Sequence, residues 1–140
     1  MYQQIVVVGR LGRDAEMKFM PSGEATLQFS IASDRVYSDK TGARMKETTW
    51  FRCQLFGKGA QALNDFLTKG TMVLVEGRLR IDTKTGGPNI WKRQDGTHAA
   101  SFELVVGTVR LLGGGSRDGQ HEAGNTSPAI VGAANDDIPF

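Results

Sequence analysis

Cysteine occurs once in these 140 residues, at Cys53, which excludes an internal disulfide and any cysteine-rich zinc site. Histidine occurs only at His98 and His121, and no Ser/His/Asp or Cys/His grouping is suggested around either. No Walker-type Gly-rich loop precedes a helix, so the sequence offers no nucleoside-triphosphate cradle. The carboxylates are scattered or gathered near the C-terminus, leaving neither a two-metal site nor an acid/base pair. The chain reads as a non-enzyme with no metal or cofactor. Runs of membrane-spanning apolar length are absent. Met1-Tyr2-Gln3-Gln4 leads straight into a strand pattern, without room for a signal or transit peptide. A soluble, cytoplasmic protein with no membrane association is expected.

Apolar residues are also scarce beyond Gly113, where Ile130, Val131, Ile138 and Phe140 are the only large ones. Too little surface is available there to offset the entropy of ordering, so a disordered tail is expected. Charge divides at the same place. Residues 1–112 carry sixteen Lys and Arg against eleven Asp and Glu, a net +5, whereas residues 113–140 carry one against four, a net −3. A basic body suits an anionic partner, and an acidic tail suits a different, basic one.

Within the body, residues 4–13 form a valine-rich strand pattern in which Gly9 and Gly12 mark a bulge or bend. Pro21-Ser22-Gly23 is a turn signal. From residue 25 to 32 the alternation is clean, with Ala25, Leu27, Phe29 and Ile31 on one face. Residues 33–44 read as a polar, turn-rich excursion with Asp39-Lys40-Thr41-Gly42 at its tip. A third strand is expected over residues 46–56. Ala60, Leu63, Phe66 and Leu67 then recur at helical spacing, with Gly70 placed as a cap. Residues 71–81 form another strand with Val73, Val75 and Leu79 on one face, residues 82–97 a ragged hairpin, and residues 101–112 the last strand. Three strands, one short helix and two strands fit an all-β, five-stranded oligonucleotide/oligosaccharide-binding (OB-fold) barrel. An SH3-like barrel is the rival, but it would not normally place a full helix between its third and fourth strands.

The third strand carries the functional signal. Phe51, Cys53 and Leu55 alternate inward, which makes Cys53 a buried, inert thiol and leaves Trp50, Arg52, Gln54 and Phe56 together outside. Outward rings flanking an arginine suit single-stranded nucleic acid: bases stack on the rings and the guanidinium meets phosphate. The competing use of such rings is to cover a subunit interface or underlie a loop. Tyr37 lies beside Arg35, Lys40 and Lys46, Trp91 precedes Lys92 and Arg93, and Arg78 and Arg80 share a strand face. Each could be an ordinary surface residue, but together they make an aromatic set interleaved with cations. The last five residues, Asp136-Asp137-Ile138-Pro139-Phe140, suit a peptide ligand, with Phe140 in a partner's pocket and the carboxylates on a basic rim.

The motifs resemble the bacterial-type single-stranded DNA-binding protein family. The carrying segments are Val8-Gly9-Arg10-Leu11-Gly12-Arg13-Asp14, Phe19-Met20-Pro21-Ser22-Gly23, Asp39-Lys40-Thr41-Gly42, Trp50-Phe51-Arg52-Cys53-Gln54-Leu55-Phe56-Gly57-Lys58, Val75-Glu76-Gly77-Arg78-Leu79 and the Asp-Asp-Ile-Pro-Phe tip. The resemblance implies a homotetramer of OB-fold barrels, associated with the nucleoid, that coats single-stranded DNA without strong sequence preference. It implies base stacking at Tyr37, Trp50, Phe56 and Trp91, and phosphate contacts at Lys40, Lys46, Arg52, Lys58, Lys69 and Arg80. It implies, too, a domain over residues 1–112, a linker over 113–135, and a tip over 136–140 that docks replication, recombination and repair enzymes. The chain departs from the family pattern in a longer segment between Arg80 and Trp91 and in a short linker without Gln/Pro-rich repeats. An RNA-binding barrel of the cold-shock kind and a primosomal adaptor barrel stand as alternatives. The acidic, Phe-ended tip argues against the first and the full aromatic set against the second.

Overall fold

Ala25, Leu27, Phe29 and Ile31 are all buried, as the alternation expects, and form one wall of the core. The computed structural model describes residues 1–113; the linker beyond Gly113 and the tip lie outside the described residues. In chain order the elements are β1 (Ile5–Leu11), β2 (Glu16–Phe19), β3 (Ala25–Ser38), β4 (Arg44–Phe56), α1 (Lys58–Leu63), β5 (Met72–Leu79), β6 (Ile90–Lys92), β7 (His98–Ala100) and β8 (Phe102–Leu111).

Five strands close on themselves in the order β1-β5-β8-β4-β3, with β1 returning to β3 through Arg10 opposite Ala32 and Leu11 opposite Ile31. Gly9 stands where β1 leaves β5 for β3. A Cβ there would lie 2.6 Å from the Ala32 carbonyl oxygen, so only glycine lets the strands meet. The pair β4–β8 is parallel and the other barrel pairs are antiparallel. Val7, Leu11, Val73, Val75, Leu104 and Val106 complete the core with the β3 row, Cys53 and Leu55. Fully burying one such side chain stabilises the fold by roughly 1.5–3 kcal/mol. Outside the barrel, β2 flanks β3, and β6 and β7 pair as a separate hairpin whose second strand, His98–Ala100, runs past the expected 82–97 segment.

Three expectations need correction. Residues 33–44 are not an irregular excursion: β3 and β4 stay paired from Ser33 opposite Thr49 out to Ser38 opposite Arg44. Most side chains of this arm are exposed, so no apolar alternation marks it as strand. Only residues 39–43 turn, and Asp39 Oδ1 fixes them by accepting from the Thr41 N–H at 2.8 Å, the Thr41 hydroxyl at 2.6 Å and the Ala43 N–H at 2.9 Å.

The helix, secondly, ends at Leu63. Ala60 and Leu67 are buried, but Phe66 is exposed, because the chain turns at Asn64-Asp65. Gly70 donates to the Leu11 carbonyl, tying the loop to β1 rather than capping α1.

Leu79, thirdly, does not join Val73 and Val75 inside. The β5–β8 register shifts at Glu76/Gly77, and Leu79 emerges at the end of its strand. No helix among the described residues is long and apolar enough to cross a membrane.

Candidate nucleic-acid interface

The outward face of β4 carries Trp50, Arg52, Gln54 and Phe56, while Phe51 is half-buried and Cys53 and Leu55 are buried. Burial pushes the Cys53 thiol up to about 12, which keeps it protonated and unreactive. On β3 the residues opposite the outward four are Ala32, Ser30, Gln28 and Thr26. The face is therefore a ladder of four rungs, with an aromatic ring on the first and last and polar side chains between. Phe56 lies six strand steps beyond Trp50, roughly 20 Å at strand rise. That span accommodates several nucleotides rather than one.

Each ring has a seat. Trp50 is 52 % exposed, and its ring lies against the backbone of Gly12, where a Cβ would come within 2.7 Å of Cη2 and Cζ3. Trp91 reaches the face from the β6/β7 hairpin, and the Arg52 guanidinium carbon lies 4.9 Å from its ring centroid. Ala99, opposite Trp91 in the hairpin, is buried. The chain beside the hairpin is tethered through Glu103, which accepts from Asn89 Nδ2 at 3.1 Å and from the Ser101 hydroxyl at 3.2 Å.

Arg80 arrives from the end of β5. Its Nη1 donates to Gln54 Oε1 at 2.8 Å, and its Nε lies 3.8 Å from Glu103 Oε2. A cleft of about 290 Å³ opens here, lined by Arg13, Arg52, Arg80, Gln28, Gln54 and Ser30 among others. Arg13 was missed as a site residue: it follows Gly12 in a loop, with no periodicity to aim it. Arg78 does not share this site. It lines a second hollow beside Tyr2, Gln4 and Thr108.

The β3–β4 arm carries the rest of the set. Lys46 pairs with Asp34 at 3.2 Å, and the Thr48 hydroxyl donates to Asp34 Oδ1 at 2.7 Å. The Thr48 hydroxyl first, and Lys46 second, hold the Asp34 carboxyl below its ordinary value. Tyr37 donates to Glu47 Oε1 at 2.9 Å, and that bond raises the phenol's pKa. Arg35 stands 5.0 Å over the Tyr37 ring. Val36 opposes Lys46 and Tyr37 opposes Met45, so Tyr37 falls on the other side of the ribbon from Lys46 and Trp50. Lys40 projects from the exposed turn, and Lys58 opens α1 just past Phe56. The Lys69 side chain is exposed on a loop whose backbone N–H donates to Asp14. The structure thus gathers Trp50, Arg52, Phe56, Trp91 and Arg80, and spreads Tyr37, Lys40 and Lys46 along the arm.

The comparisons with known proteins agree on one family. The family model described as the single-strand binding protein family matches residues 2–112. A single-stranded DNA-binding protein of Neisseria meningitidis is 32 % identical over 111 residues, which cover 79 % of this chain and 60 % of the relative. Another, from Helicobacter hepaticus, is 27 % identical over 132 residues, 94 % of this chain and 74 % of the relative. The chain thus spans about 60 % of the length of the Neisseria relatives.

Among solved structures, a Plasmodium falciparum single-strand binding protein in complex with single-stranded DNA superposes with a TM-score of 0.65 at 22 % identity, covering 81 % of this chain and 97 % of that one. A small single-stranded DNA-binding protein from Streptomyces coelicolor gives 0.63 at 20 % identity, covering 78 % and 93 %. At such identities the likeness shows the fold, an OB-fold barrel. Since the family model takes in residues 2–112 of 140, the chain belongs to the single-strand binding protein family.

Proposed function

We propose that the protein coats single-stranded DNA without strong sequence preference. One observation carries the reading: Trp50 and Phe56 bracket the outward face of β4, with Arg52 between them and Trp91 seated on Arg52. Stacking on such rings contributes about 1–3 kcal/mol per base and accepts any base. Arg52, Arg80 and the lysines at 40, 46, 58 and 69 supply cations for the phosphates, while Tyr37, on the other side of the arm from Trp50, could stack a base only where the DNA strand wraps around the ribbon. Duplex DNA hides the base faces that these rings would take.

Titrating the protein's tryptophan fluorescence with single-stranded DNA, duplex and RNA tests this. Strong quenching by single-stranded DNA alone is the expected result. Equal quenching by duplex would overturn the stacking reading, and preferential quenching by RNA would favour an RNA-binding barrel.

Two further features belong to the same reading. The protein assembles as a homotetramer, in which the exposed apolar Val6 and Val8 on β1 would offer a surface for contact between copies. The tip Asp136-Asp137-Ile138-Pro139-Phe140 recruits replication, recombination and repair enzymes to the coated strand, acting in the cytoplasm at the nucleoid. Sedimentation equilibrium giving a mass other than four chains would remove the first feature.

A further inference from the structure

Gln54 sits between the Trp50 and Phe56 rungs, and its amide is not free to turn. Arg80 Nη1 donates to Gln54 Oε1 at 2.8 Å. A guanidinium carries only donors, so the amide oxygen is the one end of Gln54 that can face it. The amide nitrogen is left for a ligand. Arg80 is itself held, by Glu103 Oε2 at 3.8 Å from Nε and by the Glu103 carbonyl, which accepts from the Arg80 backbone N–H at 2.8 Å. Both Glu103 carboxylate oxygens are engaged in turn, by Asn89 and Ser101.

The cleft at this point presents N–H donors from Gln54 and Arg80, with Arg13 and Arg52 on the same walls, and Glu103 also lines it, its carboxylate oxygens engaged by Asn89, Ser101 and Arg80. Gln28, opposite Gln54, can present either end of its amide and so does not discriminate. Glu16 is an acceptor, but it lies on β2, two strand spacings or roughly 10 Å from Gln54.

We infer that this donor patch reads the carbonyl oxygen of a base held between the two aromatic rungs, and so disfavours adenine. Thymine, cytosine and guanine each carry a carbonyl oxygen. Adenine carries an amino group and ring nitrogens only. A glutamine with both ends free recognises adenine by donating to N7 and accepting from N6. With its oxygen turned toward Arg80, Gln54 cannot offer both amide ends to adenine, and the end left for the base is the N–H donor. The inference rests on the single-strand binding proposed above and adds a graded preference to it, because stacking still admits every base.

The test uses the shortest oligothymidylate that the protein binds, carrying one adenine or one hypoxanthine at each position in turn. The short length limits sliding. The two purines share a ring system, and hypoxanthine has a carbonyl where adenine has the amino group. At one position or more, hypoxanthine should bind about threefold to tenfold more tightly than adenine, the worth of one hydrogen bond. Gln54→Leu should bring that ratio close to one while oligothymidylate still binds. Gln54→Glu keeps a partner for Arg80 but turns an acceptor toward the base, and should shift the ratio toward adenine. Equal binding of the two purines at every position in the parent would overturn the inference, as would a gap undiminished in Gln54→Leu. Failure of the parent to bind oligothymidylate at all would instead remove the single-strand reading beneath it.

Discussion

The Arg52 guanidinium lies over the Trp91 ring, 4.9 Å from its centroid, and so couples the β6/β7 hairpin to the middle of β4. A cation over an indole contributes about 0.5–1 kcal/mol when exposed. On the proposed function Arg52 would serve the site twice, as a cation for phosphate and as the seat of a stacking ring. In a Trp50→Phe background Trp91 is the sole tryptophan, and adding Arg52→Ala should shift its emission to the red without DNA present. Binding should weaken as well. An unchanged emission spectrum would mean that the hairpin is held by its Glu103 tethers alone.

Gly12 should prove as important to binding as the ring it supports. A Cβ at that position would come within 2.7 Å of Trp50 Cη2 and Cζ3, so Gly12→Val must displace the indole. Trp50→Ala should weaken single-strand binding by about 1–3 kcal/mol, and Gly12→Val should approach that loss. Circular dichroism should show the barrel intact, because Gly12 lies outside the strands. Unaltered affinity in a folded Gly12→Val variant would show that the ring's resting position does not matter to stacking.

How far the sequence carries depends on whether a residue's surroundings lie within its own element. On β3 and β4 the core row and the outward row of Trp50, Arg52, Gln54 and Phe56 follow from alternation, because each strand has one wet face and one dry. The arm escapes that test, since its side chains are mostly exposed on both faces and leave no contrast to read. For the same reason the sequence alone does not say which face of the arm Tyr37 takes. Only the pairing of Val36 with Lys46 shows it on the other side from Trp50. Arg80, just past the end of β5, and Gln54 on β4 stand 26 positions apart with β8 between their strands, and no local pattern links them.

Lys46 should bind phosphate more readily once Asp34 is removed. The two pair at 3.2 Å, so a phosphate must compete with the carboxylate for this cation. Asp34→Asn should raise affinity at low salt and steepen the log–log salt dependence by up to about 0.7, the value of one single-strand phosphate contact. Acid should imitate the substitution. The folded-state pKa of Asp34 is depressed, so its pairing persists above the ordinary carboxylate value and is lost as pH falls through the lowered one. No change in affinity or slope in Asp34→Asn would remove Lys46 from the phosphate contacts.

Thr26 opposes Phe56 on the last rung, yet it is 2 % exposed and its hydroxyl has no hydrogen-bond partner among the described residues. Burying a hydroxyl without a partner forfeits its hydration, whereas valine has nearly the same shape and suits a strand. Thr26→Val should therefore stabilise the fold by about 1 kcal/mol. Thermal unfolding would show this as a midpoint several degrees higher. A lower midpoint would mean that the hydroxyl is satisfied in solution, by a bound water for example.

The tip sequence should act on partners without acting on the barrel. Residues 113–140 contain only Ile130, Val131, Ile138 and Phe140 as large apolar residues, and the core is already closed by strands that end at Leu111. Ending the chain after Gly115 should thus leave the melting temperature nearly unchanged. The removed segment is net negative and tethered to a basic body, so it can compete with DNA as an intramolecular polyanion. Its loss should leave affinity for single-stranded DNA unchanged or slightly higher, most visibly at low salt where screening is weakest. Deleting Phe140 alone is the sharper experiment. It removes the aromatic anchor but keeps both aspartates, so the charge contribution to DNA competition stays as it was. Partner capture by this variant should fail while its DNA titration overlays that of the parent. If partners still bind it, docking runs through the barrel surface, and the terminal peptide is not the ligand.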